Sequence, residues 1–278
     1  MSGADTSRLL IGVDFTSRPT PRKTIVLAEG RCDAGLLRLD ALHRFASNHA
    51  FVAWLQARPD WIGGFDLPFG LPRELVEHIG WPTDWAGCIA HYAALDRPAI
   101  RAVFAAFCAA RPPGAKFAHR RCDRPAGSSP SMKWVNPPVA YMLHAGVPLL
   151  RALQCWFPAH EAPSSASPAR VALEAYPGLL ARALIGPRVS YKSDAAAGRT
   201  AQRRRLRDAI VDALAGGRTP LGLRLRCSAA QREAIADDAG GDALDAVLCL
   251  TQAAWAAGRP GWGLPPGVDP LEGWIVSA

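Results

Sequence analysis

The order of elements along the chain predicts a single α/β domain over residues 1–278, interrupted by a mostly helical insertion over 73–165. Two observations carry this expectation. Short apolar runs that end in acids alternate with amphipathic stretches on either side of the insertion. Between Arg73 and Leu153 the pattern turns helical, with loops rich in Pro, Gly and Ser from Arg111 to Pro138. The balance of 49% hydrophobic and 20% charged residues is that of a globular protein and excludes wholesale disorder. Ala243 to Ala257, the longest weakly polar stretch, carries Asp245 and Gln252 and is too short to cross a bilayer. The first ten residues have no signal-peptide core, and seven scattered cysteines form no CxxC pair. These features predict reduced thiols, no membrane association and a cytoplasmic location.

Arg8 to Asp14 is a near-continuous apolar run, as expected of a strand buried on both faces. Two prolines mark a turn at 18–23, and Lys23 to Glu29 with Gly35 to Phe45 then read as two further strands of a meander. Ser47 is placed to cap a helix through Ala57, ending before Pro59. Asp60 to Asp66 is a strand stopped by the Pro- and Gly-bearing run 67–72. After the insertion, Ala169 to Tyr176 returns to strand and Pro177 opens a helix at its first position. Helices are expected from about Ala195 to Leu214, from Ser228, and over Asp242 to Ala257, with a short last strand over Gly273 to Val276.

Three acids stand late in three of these strands: Asp14, Asp66 and Glu174. Side chains two apart share a strand face, so Asp14 lies over Gly12, Asp66 over Gly64 and Glu174 over Ala172. If the strands are parallel neighbours, the acids gather at the carboxyl edge, where open α/β sheets bind ligands. Asp242 and Asp245, three apart, add carboxylates on one face of the last helix. Converging carboxylates require a cation to stay ionised together, and oxygen-only ligands favour Mg²⁺ or Mn²⁺ over zinc. The structural alternatives are a helix cap for Asp242 and Asp245, a helix-orienting role for Glu174 and an Asx turn at Asp66. A stripe of small residues (Ala246, Cys249, Ala253, Ala256) faces the same way as Asp245, which predicts that Cys249 or Ala253 lies over Gly12 or Gly64.

The net charge of +8 is uneven. Residues 182–226 hold eleven basic side chains against three acids, a surplus equal to that of the whole chain. A concentrated basic face predicts a polyanionic partner, nucleic acid above all. Lys192 is placed to neutralise a phosphate. Arg199, Arg203, Arg204, Arg205 and Arg207 cannot share one helical face, so some must be solvated or paired with Asp208 and Asp212. In the insertion, Arg120, Arg121, Arg124, Lys133 and Trp134 are candidates to hold unpaired bases. Cys88, His91, His119 and Cys122 have zinc-like spacing, but the apolar neighbours of Cys88 favour core packing.

Taken in order, GVDFT at 12–16, DLPFGLP at 66–72, LEAYP at 173–177, YK at 191–192 and GDALDAV at 241–247 resemble a domain-of-unknown-function group of predicted nucleases with a ribonuclease-H-like fold. The closing helix is similar to that of RuvC-type resolvases, whose paired acids bind metal. The resemblance covers about 8–72 and 170–278, and loosely 128–142. It implies a mixed five-stranded sheet ordered 3-2-1-4-5, with Asp14, Asp66 and Asp242 or Asp245 as metal ligands and Glu174 as an additional acid. The expected function is a divalent-metal-dependent nuclease with Asp14, Asp66, Glu174, Lys192, Asp242 and Asp245 at its site. The alternatives are an actin-like-fold phosphotransferase, with Thr16 and Ser17 on phosphate and Gly240-Gly241 near the nucleotide, or a non-catalytic nucleic-acid-binding module.

Overall fold

The computed structural model describes residues 8–163 and 165–278. Its centre is a mixed sheet of β1 (Leu10–Asp14), β2 (Ile25–Asp33), β3 (Leu36–Phe45), β4 (Trp61–Asp66), β5 (Arg170–Ala175) and β6 (Arg224–Arg226). The order across the sheet is β5-β4-β1-β2-β3-β6. β2 runs antiparallel to β1 and β3, whereas β4 is parallel to both β1 and β5. Ala34 and Gly35, both at positive φ, make the two-residue turn that joins β2 to β3.

The helices are α1 (Asn48–Gln56), α2 (Arg73–His78), α3 (Trp85–Ala94), α4 (Arg97–Ala109), α5 (Asp123–Ala126), α6 (Val139–Ala152), α7 (Pro177–Ile185), α8 (Ala201–Ala215), α9 (Ala229–Asp237) and α10 (Asp242–Ala257). Ser47 caps α1 by accepting a hydrogen bond from the Ala50 amide, and Ser228 forms a capping box with Gln231 at the start of α9. Five helices, α2 to α6, occupy the chain between β4 and β5. Of these, α2, α3, α4 and α6 pack with α1 on one face of the sheet, where Ile11, Val13, Trp61 and Phe65 point, whereas Ala126 of α5 packs in a small separate cluster with Cys122 and Ile275. On the other face α7 to α10 pack against Leu10, Val26, Ile62 and Val171. No helix among the described residues is long and apolar enough to cross a membrane.

Two expectations about strands are corrected. The sheet has six strands rather than five, because Arg224–Arg226 pairs in parallel with β3. A three-residue segment with one inward side chain, Leu225, is too short for alternation to announce it. Gly273 to Val276 is not a strand: the segment is irregular and reaches β5 through the hydrogen bond from the Val276 amide to the Glu174 carbonyl.

Candidate metal centre

β1 and β4 are parallel and in register, with Asp14 opposite Asp66, so both carboxylates leave the carboxyl edge on the same face. That face is covered by α10, which packs across β1, β2 and β4. The helix comes unusually close because Gly12 and Gly64 have no side chains. A methyl group at residue 12 would lie 2.0 Å from the Leu250 nitrogen and 2.1 Å from the Ala246 oxygen. One at residue 64 would lie 2.5 Å from the Cys249 oxygen and 3.3 Å from the Ala253 Cβ. The small stripe of α10 therefore lies on the two glycines, as the pattern of small residues predicts. Ala172 takes no part, since its side chain belongs to the opposite core.

This close approach carries Asp245 to the sheet acids. One ligand oxygen each from Asp14, Asp66 and Asp245 can be chosen so that all three lie within 4.8 Å of one another. Asp245 is fully buried and Asp14 is 8% exposed. Burial, reinforced by Asp245, Asp242 and Asp66, holds the Asp14 carboxyl well above the ordinary aspartate range. Burial also pushes Asp66 up to about 7, with Lys192 opposing the shift and Asp245 adding to it. Three carboxylates so placed form a cluster of hard oxygen donors that could hold a metal ion.

Two side chains already meet Asp245: the Tyr191 hydroxyl donates to Oδ1 and the Lys192 ammonium to Oδ2. Removal from water works against the Lys192 charge, but Asp245, Tyr191, Asp66 and Asp14 outweigh it and raise its pKa well above that of an ordinary lysine. The 191–192 segment is positioned by Arg207. This buried guanidinium donates to the Tyr191 carbonyl at 2.7 Å and to the Ala236 carbonyl at 2.8 Å. It is thus not a solvated member of the basic run.

The structure does not bring Asp242 and Glu174 into the triad. Asp242 stands at the first turn of α10, where the Lys23 Nζ donates to its Oδ1 at 2.8 Å. It does not cap the helix: Gly241 occupies that position at φ +77°, and the Asp238 carboxylate accepts the Ala243 amide. Glu174 pairs in register with Phe65, not Asp66, and so points to the opposite face. There it accepts two hydrogen bonds from Arg120, at 2.6 and 2.7 Å, and one from the Phe69 amide at 2.9 Å.

Several other candidates are held away from the triad. Arg120 is buried in that ion cluster, and Trp134 packs on Phe104 and Phe117 inside the insertion, so neither is free to hold a base. Cys88 and Cys122 are buried in two different apolar clusters, and the zinc-spaced quartet forms no metal-ligating group among the described residues. Arg204 is tied to Asp208, Glu233 and Asp237.

The sequence gives no site role to Lys23 and places Arg207 only among the basic residues of α8, with no hint that it holds the 191–192 segment. A signal for Lys23 exists: the chain has four lysines among 32 basic residues, and two of them, Lys23 and Lys192, stand against these acids.

A family model matches residues 12–267, a span that contains the whole triad. The chain belongs to DUF429, a family described as proteins of unknown function. No curated protein and no solved structure matches this DUF429 chain.

Proposed function

We propose that this DUF429 protein is a divalent-metal-dependent phosphodiesterase acting on nucleic acid, with a sheet of ribonuclease-H-like type. The observation that carries the reading is the convergence of Asp14, Asp66 and Asp245 at the carboxyl edge of parallel strands. Asp14, Asp66 and Asp245 would hold Mg²⁺ or Mn²⁺, which when bound activates water and neutralises charge on a phosphate. Lys192 sets a cationic group beside the triad, where it offsets negative charge developing on the phosphoryl oxygens. Lys23 pairs with Asp242, whose negative charge acts on Asp14 and adds to the field that favours a cation there. The order of the first five strands, 3-2-1-4-5 when read from β3 to β5, supports the ribonuclease-H-like assignment, and the acid on the closing helix supports the likeness to RuvC-type resolvases. The phosphotransferase reading has less support, because the Ser17 hydroxyl accepts a hydrogen bond from Arg97 and Gly241 packs on Lys192.

The test is cleavage of single-stranded, duplex, branched and RNA–DNA hybrid substrates with Mg²⁺ or Mn²⁺. At least one substrate should be cut, and Asp14→Asn should abolish cutting while the far-UV spectrum stays unchanged. Binding without turnover on every substrate would replace the enzyme by a non-catalytic binding module.

A further inference from the structure

We propose that the apolar cavity beside the triad seats one unpaired nucleobase of a nucleic-acid strand whose phosphate lies at Asp66 and Lys192. The inference deepens the phosphodiesterase reading and rests on it. The cavity, about 310 Å³, opens next to Asp66 and Lys192 and has walls of Leu67, Pro68, Val139, Met142 and Ile275. This is the small end of the range for ligand cavities and matches one ring system.

The buried side chains of Arg120 and Glu174 also line it. Every N–H of the Arg120 guanidinium is already spent, on Asp123, on Glu174 and on the Glu272 carbonyl. Arg120 therefore offers no free donor to a phosphate, and the cavity suits a neutral planar ring. Met142 adds a polarizable thioether side chain to the lining and Ser129 a hydroxyl one, whereas the Ser128 hydroxyl is engaged by Asp123.

A second groove, about 370 Å³, shares Asp66, Tyr176 and Lys192 with the first and is lined by Arg182 and Arg188. A neutral apolar compartment and a basic one thus meet at the acid cluster. That division matches a nucleotide strand, with a base on one side and phosphates on the other. A base can enter only when unpaired or turned out of its stack, so the substrate class is single-stranded or locally unpaired nucleic acid.

The experiment measures binding of a labelled single strand to the full-length protein in Ca²⁺. A companion series carries one stable abasic site at successive positions, and a duplex and a free nucleoside monophosphate are titrated alongside. One abasic position should weaken binding about tenfold, the order of one stacked base. Val139→Trp, which fills the cavity, should bring the intact strand to the affinity of that abasic strand and leave the abasic strand's own affinity unchanged. Equal affinity at every abasic position overturns the base seat, as does failure to bind any strand. A nucleoside monophosphate bound as tightly as the strand overturns the strand assignment in favour of a free nucleotide. Cleavage of a fully abasic strand in Mn²⁺ reports the phosphodiester chemistry separately. Base-dependent binding without cutting of any strand keeps the base seat and removes the hydrolase reading. Cutting without base dependence does the reverse.

Discussion

Asp66 carries the clearest titration signature of the site. Its folded-state pKa of about 7 lies above that of an unfolded aspartate, ~3.9. Between those values the folded protein holds a proton that the unfolded chain releases. Its contribution to stability is therefore fully present below about pH 4 and is lost as pH rises through about 7. Metal-free protein should show a falling Tm from pH 5 to 8, measured by thermal melts in a chelator, and Mn²⁺ should reverse the fall by binding the ionised form. A flat profile would mean that the carboxylates are not in conflict. At the same residue, Asp66→Asn should stabilise the metal-free protein at pH 8 by on the order of 2 kcal/mol. The same variant should shrink the Tm shift that Mn²⁺ produces. A substitution that lowers stability and leaves the metal response intact would contradict the assignment.

Two elements, α10 and β5, show what was legible in the sequence and what was not. Asp14, Asp66 and Asp245 could be read locally, because strand alternation and helical spacing fix their faces. The small residues of α10 and the glycines of β1 and β4 could also be matched, since close packing leaves a compositional trace. Glu174 could not be placed this way, because the register of β5 puts Ala175 beside Asp66 and turns Glu174 to the other face. Its partner, Arg120, lies 54 positions away in the insertion and leaves no local signal.

Gly12→Ala should force α10 off the sheet, costing ~3 kcal/mol or more in urea unfolding. Metal binding should weaken with it, because Asp245 moves as part of the helix. Arg120→Met should cost ~3–5 kcal/mol by leaving Glu174 and Asp123 buried without their cation. A change below ~1 kcal/mol would mean the cluster is not the tie between insertion and sheet that its geometry describes.

For the molecule as a whole, the basic surplus over 182–226 divides into spent and free charges. Arg204 is neutralised by three carboxylates and Arg207 is buried, whereas Arg188, Arg199 and Arg205 are exposed with no carboxylate partner among the described residues. Replacing those three with Ser should flatten the dependence of nucleic-acid affinity on salt by about one counterion for each phosphate no longer neutralised, while Arg204→Ser should leave the slope unchanged. Charge counting located the basic stretch but could not apportion it, since pairing with Glu233 and Asp237 depends on how α8 meets α9.

Anomalous diffraction from crystals grown with Mn²⁺ shows whether Asp14, Asp66 and Asp245 together ligate a divalent cation. A manganese peak is expected within coordinating distance of all three carboxylates, with the Lys192 ammonium displaced from Asp245. A map with no peak there, and with Lys192 still bonded to Asp245 at saturating Mn²⁺, would contradict it.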